Sequence, residues 1–414
     1  MNILRIMLNA PPFKGGAENR IHEISKVLAK KHKITVLTGG IPEGKEKVVD
    51  GIRYIYFGDM NIFTGFKNDS LSEMIKWLID VSRYIFFKNI NIKRFEGTYL
   101  RAMADWLNKN GKDYDIIINE FTPGAIRPIS NYPYSLNVIH LRYSLFDTFE
   151  KSTKFGWKFN WLEVPYYYLF QQFLFLTNKN FIVCKTDDAN AIHFLNKNAK
   201  IKVIHPAADP SLRKAKTEEK NFILYMGRID KYQKGLDLLL EAFAELNCKE
   251  KLVVAGDGYD LLELKEKVKD LDIKNRVKFV GWVAGNSKRK LLTKCKFVVM
   301  PSRIEGLSLT SLEAAYCGKA ILGTNAVAHG LPNVYLIELN KQDIYRGLIT
   351  LLNNSKLRKK LGNKGRKAAN KFSWESSAGL EEDSYNQIFN NNKLKSEITG
   401  FDENLKNIFK RPSF

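Results

Sequence analysis

Short apolar runs and amphipathic segments take turns along this chain, and their spacing predicts strands that each lead into a helix. At the start, Ile3-Leu-Arg-Ile-Met-Leu8 reads as a strand and Pro11 to Gly16 as a loop. The next segment reads as a helix with Ile21, Ile24, Val27 and Leu28 on one face, and Ile34-Thr-Val-Leu37 as the following strand. The second half keeps the rhythm more clearly. Asn221 to Gly227 is an apolar strand running straight into Arg228, and Lys234 and Gly235 precede an amphipathic helix from Leu236 to Leu246. Leu252 to Ala255 is a strand, Gly256-Asp-Gly258 a turn before another helix, and Val277 to Val283 a further strand. Lys296 to Met300 reads as a buried parallel strand. Ser308 to Cys317 then reads as a helix, stopped by Gly318, with Leu309, Leu312 and Ala315 at helical spacing. Alternation at this short spacing requires a parallel, doubly wound sheet, so the expected class is α/β.

This pattern places particular polar residues where ligands bind. Glu305 falls in a strand-to-helix loop, and Glu313 about two turns into the helix that follows. In an open α/β sheet such loops lie at the carboxyl ends of the strands, where ligands are held. The helix start offers unpaired backbone N–H groups that suit a phosphate. Arg228 and Lys234 flank the turn after an earlier strand; an Arg can fork across two phosphate oxygens and a Lys can act as a point charge. The set suits a ligand with a diphosphate and several hydroxyls. Two glutamates eight residues apart are, taken alone, more often a loop charge and a solvated helix residue. The Gly256-Asp-Gly258 turn is also weak alone, because any tight turn of this kind prefers glycine.

The blocks GRIDKYQKGLDLLLEAF, VVAGDGYDLLELKEK, FVGWV and MPSRIEGLSLTSLEAAYCGKAI follow one another between about Phe222 and Gly330. In that order they resemble the C-terminal half of the family 4 glycosyltransferases. The resemblance implies a retaining enzyme of the GT-B fold: two Rossmann-like, doubly wound domains facing a central cleft. It also implies that Arg228 and Lys234 bind the donor diphosphate, that Glu313 binds the ribose hydroxyls, and that Glu305 sits by the donor sugar. The amides around Gly306 and Leu307 would lie near the phosphate or sugar, and Val283, after Trp282, would face the base. The first half is similar in outline. Gly15 and Gly16 in the sequence GGAE match a glycine-rich loop that closes on the donor or acceptor, and glycines let backbone N–H groups approach an anion. His140, after Leu136-Asn-Val-Ile139, matches a histidine that faces the donor sugar; a satisfied core histidine is the alternative. The chain departs from the family in VIHPAADP, where Ala207 and Ala208 replace the usual Asn-Gly, and at Ala328 to Asn333, to which no contact is assigned.

In such an enzyme the two cations and the helix start near Gly306 would stabilise the leaving diphosphate, whose oxygen could take the acceptor's proton. No cofactor or metal is expected, since these cations would replace the metal on which other transferases rely. The expected partners are a nucleotide-sugar donor and a saccharide or lipid-linked acceptor, with glycolipid or cell-envelope glycan synthesis as the setting.

The 414 residues exceed what one core usually supports. The expected division is 1–204 for an acceptor-binding domain and 205–371 for a nucleotide-sugar domain, with 372–414 returning to the first and ending in a charged tail. Cys184, Cys248, Cys295 and Cys317 form no CxxC pair, which fits a reduced compartment. The start shows no signal-peptide pattern and no apolar run approaches the ~20 residues of a membrane span. A cytoplasmic protein, peripheral at the inner face of the membrane, is therefore expected. The net charge is +22. Basic and aromatic residues mix between Trp77 and Phe95 and between Lys151 and Phe175, which suits an anionic membrane surface; no nucleic-acid partner is expected. A nucleotide-sugar epimerase on the same fold, and a non-enzymatic binder of anionic surfaces or nucleic acid, are the competing readings.

Overall fold

The computed structural model describes residues 1–9, 16–39, 45–57, 99–120, 135–139, 175–176, 178–184, 186–303, 305, 308–328 and 331–390. His140, Gly15, Gly306 and Leu307 lie outside these residues, as do the basic and aromatic segments of the first half (except Phe175) and the charged tail. The chain divides into two compact units. Of the described residues, one unit takes those up to Ile204 together with those from Trp374, and the other takes His205–Ser373.

In chain order the first unit contains β1 (Asn2–Asn9), α1 (Gly16–Leu28), β2 (Lys33–Gly39), β3 (Glu46–Val49), β4 (Ile52–Tyr56), α2 (Tyr99–Asn110), β5 (Ile116–Asn119), β6 (Ser135–Ile139), β7 (Asn180–Val183), α3 (Thr186–Leu195) and β8 (Lys200–Val203). The strands form one sheet in the order β3-β4-β2-β1-β5-β6-β7-β8. Every pairing is parallel except β3 with β4. Ile3, Leu4 and Ile6 of β1 and Ile21, Ile24 and Leu28 of α1 are buried, as the apolar pattern requires. Arg5, in the middle of β1, is buried too. Its Nε donates to Glu120 at 2.9 Å and its guanidinium pairs with Glu381 at 2.9 Å. Arg20 also pairs with Glu381, which accepts from the Tyr385 hydroxyl. Glu381 and Tyr385 belong to the helix at 374–390, which these buried charges fasten to β1 and α1.

The second unit contains β9 (Phe222–Met226), α4 (Lys231–Lys234), α5 (Leu236–Ala244), β10 (Lys251–Ala255), α6 (Leu261–Asp270), β11 (Val277–Gly281), α7 (Gly285–Lys294), β12 (Val298–Met300), α8 (Leu309–Tyr316), β13 (Ile321–Gly323), α9 (Asn325–Ala328), β14 (Val334–Leu336), α10 (Lys341–Asn353) and α11 (Ser355–Ala369). Its sheet is wholly parallel in the order β11-β10-β9-β12-β13-β14. Counted from β9, that is strand order 3-2-1-4-5-6, the doubly wound arrangement, with its topological switch point between β9 and β12. Successive residues of β9 feed opposite faces of the sheet. Ile223 and Tyr225 enter one core cluster, packed with α5 and α10. Leu224 and Met226 enter the other, packed with α8. Both faces are therefore covered, as a parallel sheet requires.

Candidate functional site

At a switch point the loops after the two central strands diverge to opposite faces and leave a crevice between them. Here those loops are Gly227–Asp230 after β9 and Pro301–Glu305 after β12. The first is held in place from beneath. Gly227 N–H donates to the Ala255 carbonyl at 3.0 Å and Ile229 N–H to the Asp257 carbonyl at 2.8 Å. A Cβ on Gly256, which has φ +153°, would run into the Gly227 carbonyl oxygen. The glycines of the Gly256-Asp-Gly258 turn thus serve the close approach of two loops, the plain structural role the sequence allowed them. The Tyr225 hydroxyl donates to the Arg228 carbonyl at 2.7 Å and fixes the turn. The Arg228 side chain is exposed and has no carboxylate within 4.0 Å among the described residues.

The two loops are joined by α4. Asp230 caps this single turn, accepting from Gln233 N–H at 2.8 Å. The turn ends at Gly235 in the left-handed region, φ +66°, where a Cβ would collide with the Pro301 carbonyl oxygen. Arg303 N–H donates to the Gln233 carbonyl at 2.8 Å, and its guanidinium reaches both carboxylate oxygens of Asp237 at 3.1 Å. This geometry brings Lys234 Nζ to 2.6 Å from Glu305 Oε1, which also accepts from Ser302 Oγ at 2.9 Å. Both partners are largely buried: 13% of the Lys234 side chain and 7% of that of Glu305 are exposed. Burial first, then the negative charges of Glu305 and Asp230, pushes the nearby Tyr225 phenol well above its ordinary range.

Glu313 is buried, not solvated, and lies just over one turn into α8, because the helix starts at Leu309 behind its Ser308 cap. Its carboxylate is paired with Lys288 of α7, a residue the sequence reading did not single out. Burial raises the Glu313 carboxyl above its usual range, Lys288 opposes the shift, and Asp209 adds to it. Ala207 and Ala208, beside Asp209, are buried core residues, which accounts for small apolar side chains in that departure from the family. The His205 ring meets Phe372 edge-on at 5.6 Å. Val283 follows β11 and is half-buried, Trp282 before it is exposed, and Gly16 is the exposed first residue of α1.

The structure thus gathers Arg228, Lys234 and Glu305 around the switch point. Glu313 lies on α8, the helix that follows the Glu305 loop, and has a lysine of its own in Lys288. At the switch point the exposed Arg228 guanidinium and the Lys234 ammonium, the latter held by Glu305, are the groups whose chemistry suits a diphosphate. Among the described residues no group of three His, Cys, Asp or Glu is placed to hold a metal ion.

Residues 211–368 match the family of glycosyl transferases group 1. An N-acetylgalactosaminyltransferase of Campylobacter jejuni, named for a diacetylbacillosaminyl-diphospho-undecaprenol substrate, is 33% identical over 36% of this chain and 42% of its own length. An alpha-monoglucosyldiacylglycerol synthase of Streptococcus pneumoniae is 35% identical over 30% of this chain and 27% of its own. The chain thus spans less than half the length of each of these relatives. In fold, sucrose-phosphate synthase of Thermosynechococcus elongatus is similar at a TM-score of 0.69, with 16% identity, over 94% of this chain and 99% of that one. An Anabaena protein, HepE, crystallised with UDP and glucose, is similar at 0.65 with 16% identity over 92% and 98%. At such identity the likeness concerns the fold, and it is the GT-B fold expected from the sequence.

Proposed function

We propose that this chain, which carries a group 1 glycosyltransferase domain over residues 211–368, moves a glycosyl group from a nucleoside diphosphate sugar to an acceptor hydroxyl with retained anomeric configuration, as family 4 enzymes do. The observation that carries this reading is the meeting of Arg228, Lys234 and Glu305 at the β9–β12 switch point. The bond between the anomeric carbon and the diphosphate oxygen breaks, a bond from the acceptor oxygen forms, and the acceptor's proton passes to the leaving phosphate. Negative charge grows on the diphosphate as the bond breaks. Arg228 and Lys234 meet it with fixed positive charge, in a partly water-free site where that charge acts most strongly. These side chains supply the charge that a metal supplies in other transferases. Glu305, freed of Lys234 by the incoming phosphate, faces the sugar and stabilises positive charge at the anomeric carbon. Glu313 holds the ribose hydroxyls and Val283 lies by the base. Gly306 and Leu307 offer amides to the phosphate. Gly15, Gly16 and His140 are the residues of the first half to which the family resemblance gives a part in donor or acceptor binding.

Two relatives are named for lipid-bearing molecules, a diphospho-undecaprenol substrate and a monoglucosyldiacylglycerol product. They support a lipid-linked acceptor, and with it a role in glycolipid or cell-envelope glycan synthesis at a membrane surface. Among the described residues no helix is long and apolar enough to cross a membrane. The test is product analysis with nucleoside diphosphate sugars and a lipid-linked acceptor extract. A glycosylated lipid bearing the donor's anomeric configuration, read by proton coupling constants, is the expected result. Inverted configuration would overturn the retaining assignment, and an isomerised sugar nucleotide without transfer would favour an epimerase.

A further inference from the structure

The strongest charge asymmetry in the described residues lies away from the switch point, on α11. No acidic residue occurs between Asp343 and Glu375, while the segment carries nine lysines and arginines. Arg358, Gly362, Gly365 and Ala369 form the buried stripe of α11. On the other side Lys356, Lys360, Lys364 and Lys367 follow at intervals of four, four and three, the spacing of one helix face, and Lys371 follows in the turn after α11. These five and Lys359 are all exposed, and none has a carboxylate within 4.0 Å among the described residues. An ordinary solvated helix intersperses acids with its lysines. This one does not, and each ammonium repels the next by the amount that opposite pairs attract.

A second cluster adjoins it. Residues 213–220 run along α11, anchored at one end by Arg213 on the carbonyls of Ala369 and Phe372 and at the other by the Arg358–Glu219 pair. The same segment bonds the end of α7, Glu218 N–H to the Thr293 carbonyl at 3.1 Å and Lys220 N–H to the Lys294 carbonyl at 2.7 Å. Between the two helices Lys214 and Lys216 join Arg289 and Lys290 in lining a groove of about 410 Å³. None of these four cations is ion-paired among the described residues either.

We infer that this lysine face of the second unit, the α11 stripe with the Lys214–Arg289 groove beside it, docks on the surface of an anionic lipid bilayer. The stripe runs about 22 Å along α11, from 15 residues at 1.5 Å each, so a flat surface can meet all its lysines at once. Lysine is a compact, hydrated charge suited to a diffuse field of head groups, whereas phosphate recognition in nucleic acid favours the forked guanidinium of arginine. Helix α11 itself carries no aromatic side chain, on which single-stranded bases would stack. With no apolar residues on the exposed stripe, α11 stays at head-group level and is held by charge alone, unlike helices that bury an apolar face in the interface. Binding is therefore salt-sensitive. The inference extends the lipid-linked acceptor reading, and its test runs separately from it.

The experiment is co-sedimentation of the full chain with vesicles of phosphatidylglycerol and phosphatidylcholine, and with pure phosphatidylcholine, at low and high salt. One variant carries Lys356→Gln, Lys360→Gln, Lys364→Gln and Lys367→Gln. A control carries Lys251→Gln, Lys265→Gln, Lys274→Gln and Lys278→Gln, four exposed lysines elsewhere on the same unit with the same change in charge. The wild type should bind only the anionic vesicles, and less at high salt. The stripe variant should lose on the order of 100-fold or more in partitioning, at roughly a fivefold loss per lysine, while the control loses little. Retained binding in the stripe variant, equal loss in both variants, binding to neutral vesicles, or no vesicle binding alongside tight oligonucleotide binding would each overturn the inference. A nucleotide-induced thermal shift, kept in the stripe variant, shows that it is folded and that the donor-site reading stands or falls independently.

Discussion

Lys234 Nζ lies 2.6 Å from Glu305 Oε1, although 71 residues separate the two in sequence. The short helix α4, ended by Gly235, presents the lysine, and the loop after β12 presents the glutamate. The contact therefore joins the two sides of the switch point. In the proposed reaction phosphate and carboxylate compete for this one ammonium group, so a bound diphosphate would release the carboxylate to the sugar.

Glu305→Gln removes the competing charge and leaves the cations in place. Nucleoside diphosphate affinity should hold or rise a few-fold, while turnover falls about 10²–10³-fold if the carboxylate stabilises the transition state. Calorimetric titration beside a transfer assay separates the two effects. Equal loss of affinity and turnover would contradict the division of labour.

Glu313 sits in the protein with its carboxyl raised by burial. A raised carboxyl contributes stability that is present below the unfolded value of about 4.5 and lost as pH rises through the folded value. Glu313→Gln should thus be close to wild type at pH 4.5 and more stable than wild type at pH 7.5, with weaker nucleotide binding. Urea unfolding at both pH values checks this; a variant less stable at pH 7.5 than at pH 4.5, relative to wild type, would refute it.

Lys288→Met takes away the cation that opposes the shift of Glu313. The carboxyl should rise further, and nucleotide affinity in the variant should fall by about 10-fold, more at pH 6 than at pH 8. Wild-type affinity should change less over the same interval. An unchanged affinity in Lys288→Met would mean that Lys288 has no part in the site.

Two glycines with the same backbone twist provide an internal comparison. Gly235 (φ +66°) abuts the Pro301 carbonyl, whereas Gly281 (φ +69°) has nothing within 4 Å. Gly281→Ala carries the conformational strain alone, about 1–2 kcal/mol. Gly235→Ala adds the collision and should lose about 2–5 kcal/mol, together with the alignment of Lys234 and Glu305. Chemical denaturation of both variants reads the difference directly.

The parallel α/β organisation of the second unit was legible because β9 to β12 are apolar runs punctuated by a serine cap at Ser308 and a glycine stop at Gly318. Those strands lie within two residues of their expected ends, or within a few in the first unit. What was missed depends on contacts far apart in sequence. The turn α4 was hidden because Gly235 interrupts it before α5. The burial of Glu313 did leave a trace: Leu309, Leu312, Glu313 and Tyr316 share the i, i+3, i+4, i+7 spacing of one helix face, so the glutamate belonged to the apolar stripe. Lys288 left none, since nothing in a lysine-rich helix marks which lysine turns inward. Arg5 stood in the middle of an apolar strand, a position that calls for a buried partner, but its partners Glu120 and Glu381 are distant in sequence.

The most direct test of the donor site is a thermal-shift panel with UDP, GDP, ADP, dTDP and CDP on the wild type and on the Arg228→Ala, Lys234→Ala double variant. At about 100 times its dissociation constant one nucleotide should stabilise the wild type by about 2.7 kcal/mol. The variant, lacking both charge-assisted contacts at about 1.5–3 kcal/mol each, should show little or no shift at the same concentration. A folded wild type that no nucleotide stabilises, or a double variant that responds as fully as the wild type, would contradict the account.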